Sequence, residues 1–545
     1  VYTSFMSKNP IVESIRSFRA EVDPVPFAAG ALVTFAFLGY TVVDTEGAAA
    51  AIDAAFVRLG RGLAWLYLGT VLALVGLAAY LLVSRYGRVR LGEGDPEYGT
   101  ASYVAMFFSA GLSAGIVFFG PVEALLHYQT VQPLFAGQVA AASSAAAVPA
   151  VAYTVFHYGI SAWGGYLAIG LPVAYFAYRH DAPFRVSTAL YPVLGPDGLD
   201  GIVARTVDTL AVVATIGGIA TGLGFIATQL LTGVTYRTGI TFGDAETVAV
   251  IVGITALFTL SLVAGVGRGI RRLSVFNVGL MTLLLGVALL AGPTTAVLNV
   301  GVAALGTYAA SFFEMSLFTG SGVEGGPGWT AAWTVFYWSW WIAWAPFVGL
   351  FLARISRGRT IRSVVGTAFG TMTAVSALWF TIVGGTSIRL QDAGVVDILG
   401  AVGEFGDGVS GYVLFGAFPG GELWQPLFLV LVTTFFVTSA DSSTLAVGML
   451  TAKGTREPSG ANRVFWGVLQ GAIASVLVVV GGATALRSSV IVTGAPFAVV
   501  CLVAMGGFVR WLSRADAPAP TRDPAVSGEA GGAEAPRPAP PAEDD

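Results

Sequence analysis

WTVFYWSWWIAWAPF, residues 333–347, is a charge-free stretch in which more than half of the side chains are aromatic. It lies inside an apolar run near 330 to 353, and about 20 mostly apolar residues suffice for a helix to cross a bilayer. Trp333, Tyr337, Trp340, Trp341 and Trp344 recur at i, i+4, i+7, i+8 and i+11, so the spacing predicts one ring-bearing helix face. Tryptophans that anchor a span cluster at the membrane interfaces, whereas this stripe continues for about 11 residues, roughly 16 Å into the helix. Helix packing plus an interfacial belt accounts for the stripe taken alone; a ring-lined site is the other reading.

Working outward, the whole chain shares this poverty of charge. Of 545 residues, 55% are hydrophobic and 11% charged, against roughly 25% charged in an average soluble protein. That composition excludes an ordinary soluble enzyme and predicts a polytopic membrane protein. The 28 basic and 32 acidic residues nearly balance, which gives no basis for nucleic-acid binding. The single cysteine, Cys501, excludes an internal disulfide framework or thiolate cluster, and His127, His157 and His180 leave little material for a zinc or haem site. No phosphate loop, HExxH motif or GxSxG triad is present, so no enzymatic activity and no organic cofactor are expected.

Twelve spans are predicted, near 26–44, 62–84, 101–126, 148–178, 206–234, 245–266, 274–292, 330–353, 364–385, 424–450, 463–482 and 488–512. Two broken apolar segments, about 297–318 and 389–415, read as surface or partly re-entrant helices. With both termini cytoplasmic, 23 of the 28 basic residues fall on the inner side, leaving Arg58, Arg61, Arg237, Arg389 and Arg487 outside. The expected organisation is a cytoplasmic segment 1–25, a twelve-helix domain 26–512 in the cell membrane, and a disordered acidic, Pro/Ala-rich tail 513–545.

Three further segments carry chemistry. In FHYGISAWGGY (156–166), Tyr158, Tyr166 and Trp163 share one arc of a helix, and ring faces without a carboxylate suit a quaternary ammonium group, at up to ~2 kcal/mol per desolvated ring. Glycines 159, 164 and 165 beside them also fit plain close packing. In SAGLSAGIVFFGPVEALLHY (109–128), Gly111, Ser113, Gly115, Gly120 and Pro121 predict a weak, unwound helix whose amides could meet a carboxylate and whose carbonyls could meet a cation. A GxxxG packing face is the alternative. In FFVTSADSST (435–444), Thr438, Ser439, Ser442, Ser443 and Asp441 form a polar patch suited to a hard cation, or to serine and threonine bonding back along the helix. Asp441 and Glu123 are intramembrane ionisable residues and therefore functional candidates.

These residues together resemble the betaine/carnitine/choline transporter family. YGRVRLGEGDPEY (86–98), GVGRGIRRLS (265–274), FVGLFLARISRGRTIR (347–362), FVTSADSS (436–443) and TGAPF (493–497) extend the likeness over roughly residues 22–512. The resemblance implies an all-α membrane protein of twelve helices with a 5+5 inverted-repeat, leucine-transporter-like core, spans 3–7 and 8–12. It implies a sodium- or proton-coupled symporter, or an exchanger, of quaternary-ammonium compatible solutes that serves osmotic adaptation, assembled as a homotrimer. By position, Trp163, Tyr166 and Trp341 match the family's aromatic box, and Tyr158 stands where a tryptophan is usual. Gly111, Ser113 and Gly115 complete the substrate-binding set, with Ser113 in place of a glycine. Trp340 and Trp344 match the inner pathway. Ser109, Leu112 and Phe435 would offer carbonyls, and Thr438 and Ser439 hydroxyls, to a coupling sodium ion. At a second ion site Thr215 matches, whereas Ile219 replaces a hydroxyl. Choline carriers that resemble this chain place an aspartate at the position of Gly115, so its absence points to a zwitterion, glycine betaine first. Sodium-independent exchange, or proton-coupled carriage of carnitine, choline or ectoine, is the alternative.

Overall fold

The computed structural model describes residues 10–111, 113–263, 267–455 and 457–514. The expected tail lies, from residue 515 onward, outside the described residues. Among those residues regular structure is entirely helical, with isolated bridges and no strand. Eight helices are long and apolar enough to cross a membrane, or nine if one bent pair counts as a span.

Among the described residues the expected spans fall on helical segments. Pro24–Val43, Ala64–Val83 and Ile202–Thr238 match three of them. Asp244–Val263, Gly267–Ala291 and Gly421–Leu450 match three more. The last two expected spans form Gly460–Arg514, broken by non-helical backbone at Gly481 and Gly482. Thr294–Leu317, read from the sequence as a surface or re-entrant helix, is itself long and apolar enough to cross. The segment 389–415 consists of short pieces, including Ile398–Phe405 and Ser410–Gly416.

Two populations of helix result from the apolar pattern. The Ser144–Arg179 and Gly326–Ile355 spans are 94% buried within the protein, whereas Pro24–Val43 and Thr294–Leu317 are only 28% buried. These two helices hold out apolar side chains, such as Val43 at 86% and Val302 at 73% exposure. Such surface is stable against lipid and costly in water. The helix Phe336–Ile355 therefore lies inside the bundle, and its rings from Phe336 to Trp344 are buried against protein.

The two basic motifs singled out in the sequence pair with each other. Leu91 N donates to Arg359 O at 2.8 Å and Ile361 N to Val89 O at 2.9 Å. Arg362 donates from Nε to Leu82 O at 2.8 Å and from Nη2 to Ser84 O at 3.0 Å, satisfying orphan carbonyls at the end of the Ala64–Val83 helix. The Arg359 guanidinium lies 3.8 Å from the Tyr103 ring centroid and donates to Tyr98 O at 2.7 Å. Gly358 makes the turn at φ +77°, and a Cβ there would sit 2.6 Å from Asp95 O, so only glycine fits.

Candidate functional site

The third span is broken, as its glycines predict. Thr100–Gly111, Ser113–Phe119 and Glu123–Gln129 are helical, residues 120–122 form a turn, and Leu112 lies outside the described residues. The two sides of this break lie at 72° to one another. The backbone of Ser113 belongs to the second piece, and its side chain lies outside the described set.

Three carbonyls of this broken segment are held by aromatic donors from other helices. The Tyr166 hydroxyl donates to Gly111 O at 3.1 Å, the Tyr158 hydroxyl to Gly115 O at 3.2 Å, and Trp379 Nε1 to Ile116 O at 2.9 Å. A carbonyl oxygen has two lone pairs, and Ile116 O accepts from Gly120 N at 3.0 Å as well as from the indole, so these bonds tie the rings to the third span in addition to its own backbone bonds.

Two of these rings, Tyr158 and Tyr166, meet the other two aromatic residues expected in the solute site, Trp163 and Trp341. Tyr158 and Trp341 meet with centroids 5.3 Å apart and planes at 72°, Tyr166 and Trp341 at 6.4 Å and 80°, and Trp163 and Tyr166 at 5.5 Å and 84°. Adjacent walls thus stand almost perpendicular, as electrostatics between ring quadrupoles favours. All four rings are at most 2% exposed. Trp341 is fixed by its indole N–H, which donates to His157 O at 3.0 Å. Gly111 permits the corner: a Cβ there would sit 2.5 Å from the Trp163 ring.

Trp340 and Trp344, the two rings matched to the inner pathway, adjoin the box. Trp344 lies 6.4 Å from Trp341 at 78°, and Trp340 5.8 Å from Trp344 at 80°. Trp340 Nε1 donates to Gly218 O at 3.2 Å, tying this face to the Ile202–Thr238 helix.

The proposed sodium ligands are brought together in part. Thr438 donates to Phe435 O at 2.8 Å, so two of the five share one helical turn. The Phe108 and Phe435 rings touch at 6.3 Å, which sets the Ser109 end of Thr100–Gly111 beside that turn. Leu112 and the Ser439 side chain lie outside the described residues. Asn277, which the sequence reading did not single out, is fully buried and donates to the Thr438 hydroxyl at 3.3 Å.

The sequence reading also missed what lies behind the box. Tyr337 stacks on Trp341 at 5.9 Å and 23°, donates to Glu123 Oε2, and lies 3.4 Å from the Tyr158 hydroxyl, whose single proton it shares with Gly115 O. Phe107 packs on Trp163 at 4.9 Å, and Phe380, at the start of the π-helical turn Phe380–Gly384, on Tyr158 at 4.5 Å. The box itself is walled by rings, yet a carboxyl stands one tyrosine away. The signal for Tyr337 was its place on the aromatic stripe; nothing in the sequence linked it to Glu123.

Such an arrangement offers ring faces to a soft cation and backbone dipoles to the rest of a small solute. The chain is 39% identical to an uncharacterized transporter of Mycobacterium tuberculosis, over 91% of this chain and 83% of that protein. It is 37% identical to the glycine betaine transporter OpuD of Bacillus subtilis, over 83% of this chain and 86% of that one. It is also 34% identical to the betaine/ectoine transporter LcoP of Corynebacterium glutamicum, over 90% and 78% of the two chains. A solved sodium-coupled sialic acid symporter aligns over 81% of this chain and 85% of its own at 13% identity and a TM-score of 0.43, too low for any site to be carried over. The sequence profile of the betaine/carnitine/choline family transporters matches residues 25–517. By that match across nearly the whole chain, and by relatives well above 30% identity, this protein is a membrane transporter of the betaine/carnitine/choline family.

Proposed function

We propose that this protein imports a quaternary-ammonium zwitterion, glycine betaine first, by sodium symport for osmotic adaptation, with Tyr158, Trp163, Tyr166 and Trp341 as the solute box. The observation that carries this reading is the coupling of box to broken helix: the hydroxyls of two box walls bond Gly111 O and Gly115 O. A cation held by the rings and a carboxylate near the interrupted backbone would occupy both halves of one site. The names of two relatives, a glycine betaine and a betaine/ectoine transporter, support the same solute class. Twelve crossings with a 5+5 inverted repeat and both termini inside are the topology that goes with this reading, in trimers.

Sodium enters the proposal through the Thr438 hydroxyl and Phe435 carbonyl beside the Ser109 end of the broken helix. One cation moved inward gains ~2.3 kcal/mol per 100 mV, equivalent to a roughly 50-fold solute gradient. One ion per solute therefore suffices for strong accumulation. Radiolabelled glycine betaine uptake into proteoliposomes, with and without an inward sodium gradient, tests the coupling; uptake indifferent to sodium contradicts it. Ectoine is the second solute to try, because a relative named as an ectoine/hydroxyectoine transporter is 34% identical over 90% of this chain. Counterflow in symmetric sodium-free buffer separates symport from exchange.

A further inference from the structure

Two of the three histidines converge on one carboxyl. Glu123 and His127 stand four residues apart on the Glu123–Gln129 helix and so project from one face, while His157 occupies the last turn of Ala147–Tyr158. His157 Nδ1 lies 2.6 Å and His127 Nε2 3.5 Å from Glu123 Oε1, and the three donor atoms all lie within 4.8 Å of one another. None of the three side chains is more than 1% exposed. The outer contacts are those that orient ligands: His157 Nε2 meets the Thr334 hydroxyl at 3.2 Å, and the Tyr337 hydroxyl holds the second carboxylate oxygen. His127 Nε2 has no hydrogen-bond partner although it is buried and aimed at Glu123.

An imidazole nitrogen left unpaired in a dry interior is unfavourable unless something fills the place it faces. Two imidazoles and one carboxylate, two of them at i and i+4 on a helix, are the donor set and spacing of a zinc-class ion with an open fourth position. Bonds of 2.0–2.2 Å in tetrahedral geometry set ligands about 3.4 Å apart, which the His127–Glu123 pair already matches. The His157–Glu123 pair would open by roughly 0.8 Å from its present 2.6 Å to receive the ion. Trp333 and Trp329, half-buried rings, lie 4.5 and 5.6 Å from the His127 ring. Arg487 stands 5.5 Å over Trp333, and Glu123 supplies the negative charge of the cluster itself.

We propose that Glu123, His127 and His157 form a binding site for one transition-metal ion of the zinc class, separate from the solute box and the sodium ligands. Magnesium, which prefers oxygen donors and keeps its waters, is not accepted. The ion ties the Glu123–Gln129 helix to Ala147–Tyr158, the helix that ends in a wall of the box.

The test uses the purified full-length protein in detergent, stripped with a chelator and titrated calorimetrically with zinc chloride. One zinc ion per chain is expected, with magnesium chloride giving no binding heat. His127→Ala and His157→Ala, each checked for a cooperative melt, should weaken zinc binding by more than the ~10–100-fold that loss of an outer contact causes. Zinc should also raise the melting temperature of the wild type and leave that of His127→Ala unmoved. X-ray absorption at the zinc edge should report two imidazole ligands. No zinc binding at millimolar concentration, wild-type affinity in a folded His127→Ala variant, or an all-oxygen ligand shell would each overturn the site. None of these readouts uses uptake, so they stand or fall apart from the transport reading.

Discussion

Tyr158 meets Trp341 edge to face, with centroids 5.3 Å apart and planes at 72°. The pair joins two helices whose sequence motifs lie far apart in the chain, and its tyrosine reaches Gly115 O through the hydroxyl. A tryptophan, the residue that the family resemblance implies at this position, has no hydroxyl to give. Tyr158→Phe keeps the ring and removes that bond, so KM for glycine betaine should rise by roughly 5-fold, matching about 1 kcal/mol for one net hydrogen bond. Tyr158→Ala removes a wall and should cost up to ~2 kcal/mol, about 30-fold. Uptake kinetics of the two variants check the order.

Gly111 and Trp163 form the tightest corner. A Cβ at 111 would lie 2.5 Å from the Trp163 ring, so Gly111→Ala displaces that ring and should raise KM by about tenfold, the scale of ~1–3 kcal/mol for overpacking. In a Trp163→Phe background the same substitution should cost much less, because the shorter ring withdraws the clashing atoms. A double-mutant cycle on uptake kinetics reads the coupling directly. Additive effects would place the clash elsewhere.

Thr438→Ala deletes a hydroxyl from the turn proposed to hold sodium and should raise the half-saturating sodium concentration by about tenfold, the order of one lost ligand contact to a charge. Thr438→Ser should restore it. Sodium titration of betaine uptake distinguishes this from a packing defect, which serine and alanine would share.

Tyr337→Phe takes a hydrogen bond from buried Glu123 and from Tyr158 together. Leaving a buried polar group unpaired costs about 1–3 kcal/mol, so the melting temperature in detergent should fall clearly. An unchanged melt would mean the carboxyl finds another donor.

How much of this was legible beforehand follows from length scales. Apolar runs are local signals, and among the described residues the expected spans fall on helical segments, the third and fourth of them interrupted. The ring residues were legible because Trp340, Trp341 and Trp344 repeat with helical spacing. The arc drawn through Tyr158, Trp163 and Tyr166 assumed one continuous helix, but Gly159, with ψ −143°, ends Ala147–Tyr158 and separates Tyr158 from the other two. The rings still come together, because Trp341 on another helix meets both Tyr158 and Tyr166. Contacts of that kind, like Tyr337 with Glu123 or Asn277 with Thr438, join residues 161 to 214 positions apart and leave no local pattern. Three histidines looked too few for a metal site, yet two of them lie beside one carboxyl for the same reason.

The measurement that bears most directly on the central claim is glycine betaine uptake into proteoliposomes by Trp341→Ala, compared with wild type at equal protein incorporation and equal melting temperature. Trp341 touches Tyr158, Tyr166 and Trp344, so its loss opens the box on three sides. The account predicts uptake reduced to background with folding intact. Wild-type uptake in this variant would contradict it.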